Sequence, residues 1–225
     1  MNLITKTKKK LRWEYTKYTL KNKPKIFCIG RNKTGTTSLK AAMKDLGYVV
    51  GNEKAGHRLV FDWGKRDFGK LIEHCKTGQF FQDVPFSRAY TFIVLDHVFP
   101  NSKFILTVRD SPEQWFDSLV RYETKKRGKN GNPPTKEDLK NHVNFYKGRD
   151  WDVFLLSNNA DDKLYDKKRL TEGYKRHNAN IKKYFRNRPE DLLVLNVAEK
   201  GAYQKLCDFL GKETDQTEFP WKNKT

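Results

Sequence analysis

The segment that most narrows the fold is KIFCIGRNKTGTTSLKAAMKDLGY, residues 25–48. An apolar run, 25–30, enters a loop bracketed by Gly30 and Gly35. A helical pattern follows, with Leu39, Ala42, Met43 and Leu46 on one stripe. Strand, glycine loop and helix in that order aim backbone N–H groups and a helix N-terminus at one point, which favours an anion. The glycine spacing is that of the nucleotide phosphate loop, G-x-x-x-x-G-K-[ST]. Thr36 stands where that loop needs lysine, and a lysine occurs instead at Lys33. An ATP kinase or GTPase requires the missing lysine and a magnesium ligand. Asp110, at the end of KFILTVRD, is a weak candidate for the second, and Arg109 beside it would compete with a divalent cation.

Further apolar runs repeat the pattern. YVV (48–50), FFQDV (80–84), KFILTV (103–108) and LLVLNV (192–197) join KIFCIG as five expected strands. Most are continuously apolar, as strands covered on both faces are. Helical patterns lie between them, at 36–46, 67–76, 87–98, 112–124, 164–186 and 202–210. Alternating strands and helices predict an α/β fold. The expected architecture is a mainly parallel sheet of about five strands, flanked by helices in a P-loop NTPase-like three-layer sandwich. In such sheets ligands sit at the carboxyl ends of the strands, where the loop at 30–37 leaves the first strand. Residues 125–162 break the rhythm with KKRGKNGNPPTKED. That stretch reads as an insertion over the ligand edge, an acceptor-binding region or a surface excursion.

The 225 residues fit a single domain over 1–225, with 1–24 as a basic extension. Fifteen Phe, ten Tyr and five Trp argue for a packed core. A net charge of +19 points to a polyanionic partner such as an acidic glycan or a multiply phosphorylated cofactor. Cys28, Cys75 and Cys207 are too dispersed for a disulfide framework or a metal site, and a reducing, cytoplasmic setting is expected. The first 25 residues have no apolar core, so neither a signal peptide nor an anchor is expected, and no run suffices to span a bilayer. The usual nucleic-acid motifs are not visible, so no nucleic-acid partner is expected.

K-T-G-T-T-S, Lys33 to Ser38, resembles the 5′-phosphosulfate loop of sulfotransferases that use 3′-phosphoadenosine 5′-phosphosulfate (PAPS). FPNSKFILTVRDSPEQWFDSLVRY, residues 99–122, resembles their second signature, in which a strand ends in Arg-Asp and a serine follows on the next helix. The ending, with LLVLNV, LCDFLG and FPWKN, is similar as well. The resemblance implies that Lys33, Thr34, Gly35, Thr36, Thr37 and Ser38 hold the 5′-phosphosulfate and that Arg109 and Ser118 hold the 3′-phosphate. It implies PAP, adenosine 3′,5′-bisphosphate, as the product, with no metal needed. In many relatives the serine comes eight residues after the arginine; here Ser118 comes nine after, and Asp117 stands at eight. The extra residue is read as Ser111, in the turn before the helix, which leaves the helix phase intact. Trp221 and Lys222 are expected to close over the cofactor.

The implied reaction is in-line transfer of a sulfuryl group to a hydroxyl or amine, with Lys33 stabilising the leaving phosphate. A general base should take the acceptor's proton. In one branch of the family a histidine lies at the end of the next strand, and Asp83 of Q-D-V-P falls at the matching position. An ordinary aspartate, with a pKa of about 3.9, is a weak base. Glu53, His57 and His74 are rivals, whereas His177 and Asn178 are expected to pack or to bridge helices. The acceptor is expected to be a small molecule or a glycan, with carbohydrate leading. The alternatives are a P-loop kinase-like phosphotransferase and a non-enzymatic polyanion-binding protein.

Overall fold

The computed structural model describes residues 3–157 and 163–220. A basic helix, α1 (Leu3–Leu20), precedes strand β1 (Ile26–Cys28), and the glycine loop then opens α2 (Thr36–Asp45). Three short helices follow: α3 (Glu53–Arg58), α4 (Val60–Gly64) and α5 (Gly69–Cys75). They lead to β2 (Phe80–Phe81), α6 (Thr91–Val98), β3 (Lys103–Thr107) and α7 (Pro112–Arg127). Next come α8 (Lys136–Asn141), the hairpin β4 (Val143–Asn144) and β5 (Tyr146–Lys147), and α9 (Arg149–Ser157). α10 (Lys167–Tyr184), β6 (Leu192–Leu195) and α11 (Ala202–Leu210) complete the described chain.

The main sheet is parallel, in the order β2-β1-β3-β6. It has four strands among the described residues, one fewer than expected. The segment Tyr48–Val50 makes only one bridge, Val50 to Phe80. It lies between Gly47, in a left-handed conformation (φ 84°), and the Asn52 cap of α3, so the chain turns before a ladder can grow. β2 likewise ends early, because Asp83 takes φ 64° and breaks the extended run.

Alternation along the strands builds the three layers. Ile26 and Cys28 face one side with Phe80, Ile105 and Leu195, where α2 and α11 cover them through Leu39, Met43, Tyr203 and Leu206. Phe27 and Ile29 face the other with Phe81, Phe104 and Leu106, covered by α5, α6 and α10. Phe27 is fully buried and lies 5.6–6.0 Å, centroid to centroid, from Phe81, Phe86, Phe99 and Phe104. Burying a ring of that size contributes roughly 2–3 kcal/mol. No described helix is long and apolar enough to cross a membrane.

The described part of the expected insertion, 125–157, carries the end of α7, α8, the β4–β5 hairpin and α9. Thr135 and Asp138 form a reciprocal cap that starts α8. The buried Arg149 of α9 donates to the His57 carbonyl of α3 at 2.5 Å, which ties the inserted elements to the ligand edge of the sheet.

Candidate active site

Sheet packing shapes the loop after β1. A Cβ at Gly30 would lie 2.2 Å from Thr107 Oγ1, so only glycine lets the loop leave beside β3. Gly35, at φ 90°, begins α2, and a Cβ there would strike Val197 at 2.2 Å. Gly35, the N-cap of α2, has no side chain to cap it, so among the described residues its first N–H groups are left to an external anion. Thr36 is half-buried, Thr37 exposed and Ser38 buried in this first turn. Thr34 differs from its neighbours. Its fully buried hydroxyl donates to the Arg31 carbonyl at 2.5 Å and meets Thr107 Oγ1 at 2.5 Å. That hydroxyl fixes the loop, and only the Thr34 backbone remains for a ligand.

Lys33, also in the left-handed region (φ 73°), lays its ammonium over the Tyr122 ring of α7 at 3.8 Å from the centroid. Burial, and then the Arg109 charge, holds its pKa below the usual lysine value. Arg109 Nε donates to the Lys33 carbonyl at 2.8 Å, which leaves the terminal nitrogens of its guanidinium for an anion. The Arg109 N–H is in turn held by the Tyr174 hydroxyl at 3.0 Å.

α7 carries the second expected anion ligand. Ser111 lies outside this helix as its N-cap, accepting from the Gln114 N–H at 3.0 Å, with Pro112 at the first helical position. The helix therefore starts after the extra residue. Trp115, Ser118 and Tyr122 fall on one face at i, i+3 and i+7. Trp115 Nε1 donates to the Asn32 carbonyl at 2.9 Å, and Tyr122 lies under Lys33, so this face looks onto the loop. Ser118, between them, is 5% exposed, and its hydroxyl has no hydrogen-bond partner among the described residues. Asp117 points to solvent. Asp110 is engaged by Asn196 at 2.5 Å and Gln114 at 2.7 Å, a structural role at the β3–α7 junction.

The base candidates separate clearly. Asp83 Oδ2 lies 2.9 Å from His57 Nε2, and Asp83 Oδ1 accepts from the Val84 N–H at 2.8 Å. Burial works to raise the Asp83 carboxyl. The His57 hydrogen bond and charge, with the Val84 N–H and the Asn32 side chain, outweigh burial and hold it below the usual carboxylate value. Glu53 is spent on Lys40 and Gln82, each at 2.7 Å. His74 packs against Phe81 and Phe86, and burial pushes its pKa down to about 4. His177, 5% exposed, donates Nε2–H to the Ile29 carbonyl at 2.9 Å and braces the root of the loop. Burial and the Arg31 charge take it down to about 3. The Asn178 Oδ1 is buried with no partner among the described residues. Trp221 and Lys222 lie outside the described residues.

Beside the loop opens a cavity of about 840 Å³. Asn32, Trp115 and Tyr122 line it on the loop side, His57 and Asp83 on the sheet side, and Leu139 and Arg149 from the inserted elements. Sequence reasoning kept His57 only as a rival and did not pair it with Asp83, since they come together from α3 and the turn after β2. It also passed over the cavity arginines. One signal was legible: Arg169, Gly173, Arg176 and Asn180 recur at helical spacing and all face the cavity.

A family model described as a sulfotransferase domain matches residues 25–225. No curated protein matches the chain.

Proposed function

The chain belongs to the sulfotransferase domain family, and from that premise we propose that it moves a sulfuryl group from PAPS to a hydroxyl of a carbohydrate acceptor in the cytoplasm. One observation carries the choice of donor. The buried Ser118 hydroxyl, with no hydrogen-bond partner among the described residues, lies on the α7 face that meets the loop, and Arg109 bonds that same loop at the Lys33 carbonyl. A buried hydroxyl without a partner costs about 1–3 kcal/mol, and a phosphate held with Arg109 would remove that cost. The uncapped α2 turn offers a second anion position. Two such positions, one at each end of a ribose, suit a nucleotide phosphorylated at both 3′ and 5′.

When bound, the donor supplies an electrophilic sulfur and a good leaving group. The α2 amides, Thr36, Thr37 and Ser38 hold the 5′ end, and Arg109 and Ser118 the 3′-phosphate. The acceptor oxygen forms its bond to sulfur as the bond from sulfur to the bridging phosphate oxygen breaks. Lys33 leaves Tyr122 to stabilise charge growing on that bridging oxygen. Both Asp83 oxygens are engaged and its carboxyl is held low, so the proton goes to His57 at Nδ1, with Asp83 fixing the ring through Nε2. Asp83 thus acts as a positioning residue. The described part of the insertion, 125–157, supplies the acceptor wall. Three free, buried cysteines suit a reducing compartment.

Calorimetry decides the donor. Magnesium-independent binding of adenosine 3′,5′-bisphosphate, with no binding of ATP plus magnesium, is expected. A preference for ATP would move the protein to the kinase-like reading.

A further inference from the structure

The cavity beside the loop has an unbalanced charge. Among the described residues, seven arginine and lysine side chains line it against three carboxylates. All three carboxylates already have partners. Glu123 and Asp150 both hold Arg127, at 2.5 and 2.7 Å, and Asp83 holds His57. Arg31 and Arg176 reach no carboxylate among the described residues. The one Arg31 hydrogen bond among them is a long one, 3.4 Å, to the Ser87 carbonyl. These cations feel one another: burial and then Arg176 lower Arg31 to about 10, and burial and then Arg31 lower Arg88 to about 10. Arg31 and Arg88 both remain charged at neutral pH. Phe92, Trp115 and Tyr165 wall the same space with apolar surface, which strengthens a field that water would otherwise screen.

Like charges gathered in a half-buried space cost free energy until an opposite charge enters. The cofactor anion ligands Lys33, Arg109 and Ser118 are not among the cavity lining, so the donor phosphates leave this excess in place. We infer that the sulfuryl acceptor is itself an anion, bearing a carboxylate, sulfate or phosphate ester that Arg31 and Arg176 bind while its hydroxyl meets His57. The inference rests on the sulfuryl-transfer reading and adds the acceptor's charge to it. Arg149 then has two tasks, since it adds to the cationic wall and holds the His57 carbonyl. An acidic or already sulfated sugar has the required chemistry.

The test is a binding titration on full-length protein saturated with adenosine 3′,5′-bisphosphate. Three probes differ only in charge: 4-nitrophenyl β-D-glucuronide, 4-nitrophenyl β-D-glucoside 6-sulfate and neutral 4-nitrophenyl β-D-glucoside. At least one charged probe is expected to bind about tenfold or more tightly than the neutral one. Which charged probe wins separates carboxylate from sulfate acceptors. Arg176→Gln, at an exposed position of α10, should remove most of that preference with the melting temperature unchanged, and Arg176→Lys should keep part of it. Affinity for the bisphosphate should change less than twofold. Equal affinity for all three probes, no binding of either charged one, or a preference that survives Arg31→Gln with Arg176→Gln overturns the inference. If the bisphosphate itself fails to bind, the donor assignment falls, and the same probe series on unliganded protein still decides the charge of the cavity's ligand.

Discussion

At the scale of single residues, the site separates groups that hold the loop from groups left open to a ligand. Thr34 and Asp110 read from sequence as ligands, or as a metal acid, yet both are engaged inside the protein. Lys33, Arg109 and Ser118 keep donors in reserve. Ser118→Ala should therefore leave thermal stability unchanged or slightly higher, because it deletes an unsatisfied buried hydroxyl. The same change should weaken bisphosphate binding about tenfold or more, the worth of a hydrogen bond to a charged group. A serine with a purely structural role would give the reverse result. Lys33→Ala should lower kcat by about 10²-fold or more with the melting temperature unchanged, as removal of a preorganised donor does. His57→Gln should cost about 10²–10⁴ in kcat. Asp83→Asn should lower kcat while leaving the donor KM within about twofold, as a positioning role predicts. Near-normal turnover of Asp83→Asn would remove the pair from the mechanism.

At the scale of elements, the strand–loop–helix unit depends on two close approaches. Gly35→Ala combines a left-handed backbone with a collision at Val197. It should destabilise by about 2 kcal/mol or more, measured by urea unfolding, and loosen bisphosphate binding in the same protein. A milder change is Ser111→Ala. Loss of this N-cap should cost about 1 kcal/mol. Ser111 also shows why the nine-residue spacing from Arg109 to Ser118 is tolerated. Inserted before the first helical residue, it lengthens the turn and leaves the face of Trp115, Ser118 and Tyr122 on the loop. Helix phase was legible from residue spacing. The edge segment Tyr48–Val50 was misread as a strand, since its apolar character resembles one. Its pairing is limited by the flanking turn at Gly47 and the cap at Asn52, which are backbone effects.

At the scale of the whole molecule, two imidazoles, the buried His177 and the half-buried His74, link pH to folding. His74 and His177 remain neutral in the fold, at about 4 and about 3, below the ordinary value of about 6.5. The unfolded chain takes up these protons first, so stability is full above about pH 6.5 and falls as pH drops toward 4, with His177 extending the loss toward 3. His74 alone accounts for roughly 3 kcal/mol over that window. Melting temperature should therefore decline from pH 6.5 to 4, and His177→Gln should make that decline shallower throughout and remove its extension below pH 4. A flat profile in the wild type would mean that these imidazoles are protonated in the fold.

Local sequence by itself determined the parallel α/β sandwich, since alternating apolar strands and amphipathic helices can bury their faces in few other ways. It also marked the anion loop, because glycine at two close approaches and a helix start are local demands. Tertiary structure alone decided which side chains face the ligand. His57 and Asp83 are 26 residues apart, and Arg31 and Arg176 lie 145 residues apart. Their meeting is a consequence of how α3, the turn after β2 and α10 pack on the sheet. Hydrogen bonding made the same selection for Thr34 and Ser118. Both are buried hydroxyls in anion motifs, but Thr107 waits beside the first and no described partner beside the second. Residue type sets what a group can bind; the neighbours that packing brings decide whether it is still free to do so.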